Sequence, residues 1–234
     1  MKLENLSKTT LIEFLDQIIG KPARIRVIDG AFRRKDHITL EEALILCDMV
    51  LEVHEYSPLT PAILAVATVL HDMDWALCGG LAVGVLTRPR ATVDIDIITS
   101  DRSTVLSKLL QSKQFIQKGS KIIHISGGEI DVLDTSSGYW NTPKQVSQLA
   151  LDTSRQQNFF GQRIPVVTPD GLVATKLGRA FTNLEGADQD KVDIINVLRE
   201  HGKQDLSKYD LTTEMVEEYE RLIARAANIR NNPQ

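Results

Sequence analysis

Apolar positions divide the chain into three zones. Up to about Asp74 they recur at helical spacing. Leu40, Ala43, Leu44, Cys47, Val50 and Leu51 form one stripe. Thr39 and Glu42 in front of it make a capping box, each able to satisfy a free amide of the first turn. A second helix is predicted from Thr60-Pro61, an N-cap oxygen followed by proline in the first turn. Its apolar face holds Ile63, Leu64, Ala67 and Leu70, and it is expected to end near His71.

From residue 75 to 167 the pattern is mixed. A short apolar run at 75–78 stopped by Gly79-Gly80 predicts a buried strand entering a turn. A short helix is expected at 81–86, a strand at 93–98 and a helix at 103–110. Further strands are expected at 121–125, 129–133 and 163–167. From Pro169 onward helical spacing returns, at 170–180, 187–200 and 213–227. Strands alternating with helices predict an α/β (α+β) fold: a mixed sheet with flanking helices, an N-terminal helical segment and a C-terminal helical region. The expected boundaries are 1–74, 75–168 and 169–234.

Composition refines this picture only a little. With 234 residues, 42% hydrophobic and 25% charged, the chain is ordinary globular material that buries a core without staples. Its two cysteines, Cys47 and Cys78, lie in apolar surroundings and lack metal-ligand spacing, which fits a reducing cytoplasm. No apolar run approaches the ~20 residues of a membrane span, and the first ten residues carry no secretory pattern. A net charge of −4 argues against a surface built to coat nucleic acid. The local exception is Lys21, Arg24, Arg26, Arg33, Arg34 and Lys35, with Asp29 the only acid among them. That segment reads as a solvated basic stretch or as a dock for phosphates of an acceptor or of a nucleic acid.

The chemistry concentrates in Val93-Asp94-Ile95-Asp96-Ile97. In a strand, Val93, Ile95 and Ile97 are expected to face a core while Asp94 and Asp96 share the other face, their Cα atoms ~6.6 Å apart. Two carboxylates so placed can reach a pair of metals ~3.5–4 Å apart. Aspartate is poorly suited to strands, so two in one short strand call for a reason, either exposure to water or a metal. Gly79-Gly80 precedes them at a strand-to-helix turn, where free amides favour phosphate. In Glu129-Ile130-Asp131-Val132-Leu133 a third acid is available. If that strand lies beside the first, Asp131, central in its strand, completes a three-carboxylate cluster, with Glu129 and Asp134 as the fallbacks. Lys176 sits within an apolar stripe of its helix, so it is expected to pair with an anion or to snorkel to water. Arg88 and Arg90 flank the turn into the acidic strand, positioned to clamp phosphate or pair with the carboxylates. His71-Asp72-Met73-Asp74 lacks a second paired ligand and is set aside as a metal site. Cys78 reads as an inert strand residue.

Leu77-Cys78-Gly79-Gly80 followed by Asp94-Ile95-Asp96 resembles the motif of the polymerase-β-type nucleotidyltransferase superfamily. The segment from Arg88 through Thr92 to Asp96 resembles more narrowly the AbiEii-type (abortive-infection toxin) branch. The runs Thr168 to Leu177 and Asp190 to Ile194 are similar to that branch's two later helical motifs. The likeness covers about 75–198. It implies that Gly79 and Gly80 line a triphosphate pocket, that Asp94, Asp96 and Asp131 bind metal, and that Asp131 helps activate an acceptor hydroxyl. It also implies that Lys176 faces the nucleotide phosphates and that Asp190 steadies the site. Gln189 stands where the branch carries lysine, and Arg179 is the nearest candidate for its intervening arginine.

The expected function is therefore transfer of a nucleoside monophosphate from a nucleoside triphosphate to an acceptor hydroxyl, dependent on Mg²⁺ or Mn²⁺. The acceptor is RNA, protein or a small molecule, and a toxin-antitoxin setting implies a cognate antitoxin as partner. The alternative expectation, motivated by Gln189 and the net charge, is a nucleotidyltransferase-like protein that binds a nucleotide or partner without turnover.

Overall fold

The computed structural model describes residues 6–7, 37–38, 59–87, 92–137, 142–159, 161–182 and 185–231. The capping-box helix expected around 39–51 and the basic stretch at 21–35 lie outside them. Of the first zone, β1 (Leu6–Ser7) pairs antiparallel with β2 (His37–Ile38), and α1 (Leu59–Val69) follows. Thr60 lies inside α1, one residue past its first described position, and the helix ends two residues before His71.

The remaining elements run β3 (Trp75–Cys78), α2 (Gly79–Leu86), β4 (Asp94–Thr99), α3 (Arg102–Gln111), β5 (Phe115–Lys118), β6 (Lys121–His124) and β7 (Glu129–Asp134). They continue as a 3₁₀ turn (Thr135–Ser137), α4 (Lys144–Asp152), β8 (Arg155–Phe159), β9 (Gln162–Val166), α5 (Pro169–Ala180), α6 (Ala187–His201) and α7 (Thr213–Asn231). The strands form one seven-stranded mixed sheet in the order β5-β6-β7-β4-β3-β9-β8. The β4–β7 and β3–β9 pairs are parallel and the rest antiparallel. This is the α/β class the alternating pattern predicts.

Centrality in the sheet follows hydrophobicity. All four residues of β3 are buried, and Ile95 and Ile97 of β4 are fully enclosed. Val93 differs from its expectation. It is 81% exposed and outside β4, because pairing with β7 begins only at Asp94 opposite Glu129. Ile125 is likewise exposed, since β6 ends at His124 and the chain turns through Gly127 at φ 91°.

Besides the two-residue strands β1 and β2, which fall in the zone read as helical, three elements escaped the hydrophobic pattern. The outer strands β5 and β8 read FIQK and RQQNF, and Phe115 is the only buried side chain in either. Polar outer strands are the ordinary way to blunt a sheet edge, and they carry little alternation to detect. Helix α4 is nine residues long and buries Val146, Ser147, Ala150 and Leu151. A helix that short gives periodicity little length in which to show.

On the side of the sheet that carries Asp94 and Asp96, α5 is the pivot. It is buried along nearly its whole length and packs against α2, α4, α6 and α7. Its small residues permit that enclosure. Ile97 fills the core at the centre of β4, so Ile97→Ala is expected to cost about 2–5 kcal/mol through lost burial and the cavity left behind. Urea unfolding with an unchanged slope is the measurement.

Candidate active site

The parallel register of β4 and β7 sets Asp96 directly opposite Asp131 and Asp94 opposite Glu129. Because side chains alternate along a strand, all three aspartates emerge on one face. One carboxylate oxygen from each of Asp94, Asp96 and Asp131 lies within 4.8 Å of the others. No other group of three potential ligands is so placed among the described residues. The cluster lines a cavity of about 390 Å³ that also meets Gly79, Gly80, Lys176, Arg179 and Gln189. Arg88 and Arg90 lie outside the described residues.

The diglycine turn has a local reason beyond any ligand. Gly79 has φ 63°, a left-handed conformation that side chains disfavour. A Cβ placed on it would stand 1.8 Å from Asp96 Oδ2. Gly79 thus leaves the space that Asp96 occupies, and the Gly80 N–H, at the start of α2, donates to the Asp96 carboxylate. Seating an anion at a helix N-terminus also aligns it with the helix dipole.

Burial, then the charge of Asp94 and also that of Asp131, push the Asp96 pKa up to about 6, while Lys176 and the Gly80 amide pull against that rise. Asp131 is also raised, by burial first and then by Asp94 and Glu129, with Lys121 and Arg102 opposing. These are the marks of like charges crowded together, a state that a bound cation relieves. Three hard oxygen donors at this spacing suit a divalent ion such as Mg²⁺ or Mn²⁺.

Beside the cluster, helices α5 and α6 bring four charged groups together. Lys176 is only 8% exposed, and its Nζ donates to Asp190 Oδ1 at 2.5 Å and lies 2.9 Å from Asp193 Oδ2. Arg179 Nε donates to Asp190 Oδ2, and Gln189 Nε2 donates to Asp193 Oδ1 at 3.0 Å. Of the two outcomes expected for Lys176, pairing is the one observed. Asp193, fully buried, is a member of this group that the sequence pattern does not single out. Its place three residues after Asp190 on one face of α6 was the available signal.

The set-aside residues behave as ordinary structure. The buried Cys78 thiol is pushed well up by desolvation and donates to Asp96 O. His71 Nδ1 meets Thr68 O, and Asp72 pairs with Lys108. The fallback acids have other partners: Glu129 binds Lys121 at 2.7 Å, and Asp134 accepts from the Ser136 amide.

No family model and no curated protein matches the sequence. Among solved structures, the chain resembles an antigenic nucleotidyltransferase-like protein from Paracoccidioides brasiliensis. That match has 20% identity and a TM-score of 0.52 over 76% of this chain and 91% of that one. It establishes a nucleotidyltransferase-like fold. Lower similarity extends to the antibiotic-resistance factor ANT(2'')-Ia, with 13% identity and a TM-score of 0.45 over 77% of this chain and 97% of that one. The same factor in complex with adenylyl-2"-tobramycin gives 14% and 0.42 over 73% and 95%. Among the described residues, no helix is long and apolar enough to cross a membrane.

Two outcomes follow from this geometry. Gly79→Ala adds both left-handed strain and a collision with the Asp96 carboxylate. It is expected to cost about 1–3 kcal/mol in chemical denaturation and to abolish stabilisation by added Mn²⁺. A raised carboxyl pKa favours the folded state at low pH, and that advantage disappears as pH rises from about 4 through about 6. Asp96→Asn is therefore expected to melt about 2–4 °C higher than the metal-free wild type at pH 7.5 and no higher at pH 4, read by thermal scans in chelator.

Proposed function

We propose that this protein is a metal-dependent nucleotidyltransferase that moves a nucleoside monophosphate from a nucleoside triphosphate to an acceptor hydroxyl. The observation that carries this reading is the convergence of Asp94, Asp96 and Asp131 in one cavity against the Gly79-Gly80 turn. The three carboxylates would hold Mg²⁺ or Mn²⁺. Such ions, when bound, neutralise triphosphate charge and ease ionisation of the acceptor hydroxyl.

The acceptor oxygen bonds to the α-phosphorus as the bond from that phosphorus to the bridging oxygen breaks. Pyrophosphate leaves with the electron pair. Asp131, its side chain 32% exposed at the edge of the cluster, would take the acceptor's proton. Gly79 and Gly80 line the triphosphate side, where the start of α2 points its amides. Lys176, with Asp190 and Asp193 as counter-ions, supplies positive charge on the same side, and Arg179 lines the cavity next to it. Arg88 and Arg90 are assigned to phosphate contact on their sequence position.

The finer reading is an AbiEii-type, toxin-like enzyme of the cytoplasm with a cognate antitoxin. Its support is the motif run ending at Asp96 together with the direct pairing of Lys176 and Asp190, which joins the two later motifs in one unit. In this reading 75–168 is the catalytic core, 169–234 the helical region that completes it, and 1–74 an extension. The acceptor is RNA, a protein or a small molecule, and the basic residues at 21–35 favour one that bears phosphate. A second reading, binding without turnover, draws on Gln189 and Lys176, both already engaged by Asp193.

Labelled nucleoside triphosphates are to be incubated with Mg²⁺ and, in turn, RNA, protein and aminoglycoside acceptors. Wild type is expected to transfer label and release pyrophosphate. Asp94→Ala with Asp96→Ala is expected to lose on the order of 10²–10⁴-fold. Equal behaviour of the two proteins would sink the proposal. Calorimetric nucleotide binding without pyrophosphate release would establish the second reading instead.

A further inference from the structure

Continuing the β6–β7 register one step beyond Ile122 opposite Ile130 places Lys121 directly across from Asp131. Lys121, Asp131 and Asp96 therefore stand abreast on three neighbouring strands. The Lys121 ammonium does not close on Asp131. It bonds Glu129 Oε2 at 2.7 Å and stays 3.9 Å from Asp131 Oδ2. Both Lys121 and Glu129 are more than a third exposed, so the pair can rearrange without breaking the core. Glu129 holds the ammonium fully charged and is itself drawn below the usual carboxylate range by it.

We propose that Lys121 is a positioning residue of the acidic cluster: a tethered ammonium, held off Asp131 by Glu129, that competes with a divalent cation for that carboxylate and so sets the cluster's metal affinity. The inference rests on the reading of Asp94, Asp96 and Asp131 as metal ligands. A cation on the cluster must share Asp131 with, or displace, the only ammonium within 4 Å of it among the described residues. Glu129 determines which occurs. With the tether intact, Lys121 has an alternative partner at hand and yields. Without it, Asp131 becomes the nearest carboxylate and Lys121 is expected to move onto it.

Two signs are opposite as a result. Removing Lys121 tightens metal binding, and removing Glu129 weakens it through Lys121. A merely structural role would make both substitutions act in the same direction. Exposed ion pairs contribute little to stability, so the variants are expected to fold.

The test is calorimetric titration of Mn²⁺ alone, without nucleotide, into the full chain. Wild type is expected to bind, and Asp94→Ala with Asp96→Ala is expected not to. Failure of that comparison removes the metal reading and this inference with it. Where it holds, Lys121→Met is expected to tighten binding about three- to ten-fold, the scale of one unit charge near 4 Å when screened as by bulk water, and Lys121→Arg to stay within about two-fold of wild type. Glu129→Gln is expected to weaken binding by a similar factor, and at least half of that effect should vanish in the Lys121→Met background. Unchanged or weaker binding by Lys121→Met, with wild type binding normally, overturns the proposal. So does an equal Glu129→Gln effect in both backgrounds, which would mean that Glu129 acts through its own charge.

Discussion

Repulsion among three carboxylates organises this molecule. Two of them come from adjacent alternate positions of β4 and the third from the parallel strand beside it, so the backbone itself forbids their separation. Hydrogen bonding between the strands is unaffected by the charge on their faces, and Ile95, Ile97, Ile130 and Val132 on the opposite face fasten both strands to the core. The sheet thus holds together groups that would otherwise move apart. What surrounds them follows from that compulsion: a helix start aimed at Asp96, a buried lysine near it, and a second lysine beside Asp131.

The buried charges of α5 and α6 answer to the same logic at one remove. An ammonium with 8% exposure would be costly alone. Here two carboxylates neutralise it, and a guanidinium shares one of them. Losing either acid would leave a cation stranded in a poorly solvated place, which is the damaging way to break a buried ion pair. The network thereby ties α5 to α6 through charge. It also holds a positive side chain at the cavity wall.

How much of this was legible in the residues depended on whether a signal was local. Asp94 and Asp96 carry their own evidence, because period-two alternation and the poor strand propensity of aspartate lie within five positions. Choosing Asp131 over Glu129 needed only its central place in its strand, and the register agrees by pairing it with Asp96. The reason for Gly79 was half visible. A turn could be read, but the proximity of the Asp96 carboxylate belongs to two strands that meet only in three dimensions. Alternation does not say where strand pairing starts, and Val93 accordingly lies one residue outside β4. The outer strands β5 and β8 offer little apolar contrast and α4 little length, and the role proposed for Lys121 depends on the hairpin register rather than on any local pattern. Burial, not residue type, distinguishes Asp193 from any helical aspartate, and burial is not written in a local pattern.

The order in which the chain supplies these parts has a bearing on its life in the cell. β3 and β4 are close in sequence and pair antiparallel, so Asp94 and Asp96 can be seated before β7 is made. Asp131 arrives only when the chain crosses over to lay β7 alongside β4, and the counter-ions of Lys176 are encoded later still, at Asp190 and Asp193. Chains emerge N-terminus first and non-local pairings form slowly. A chain in which α6 has not yet docked on α5 therefore carries the acids of the sheet while the ammonium of Lys176 still lacks its counter-ions.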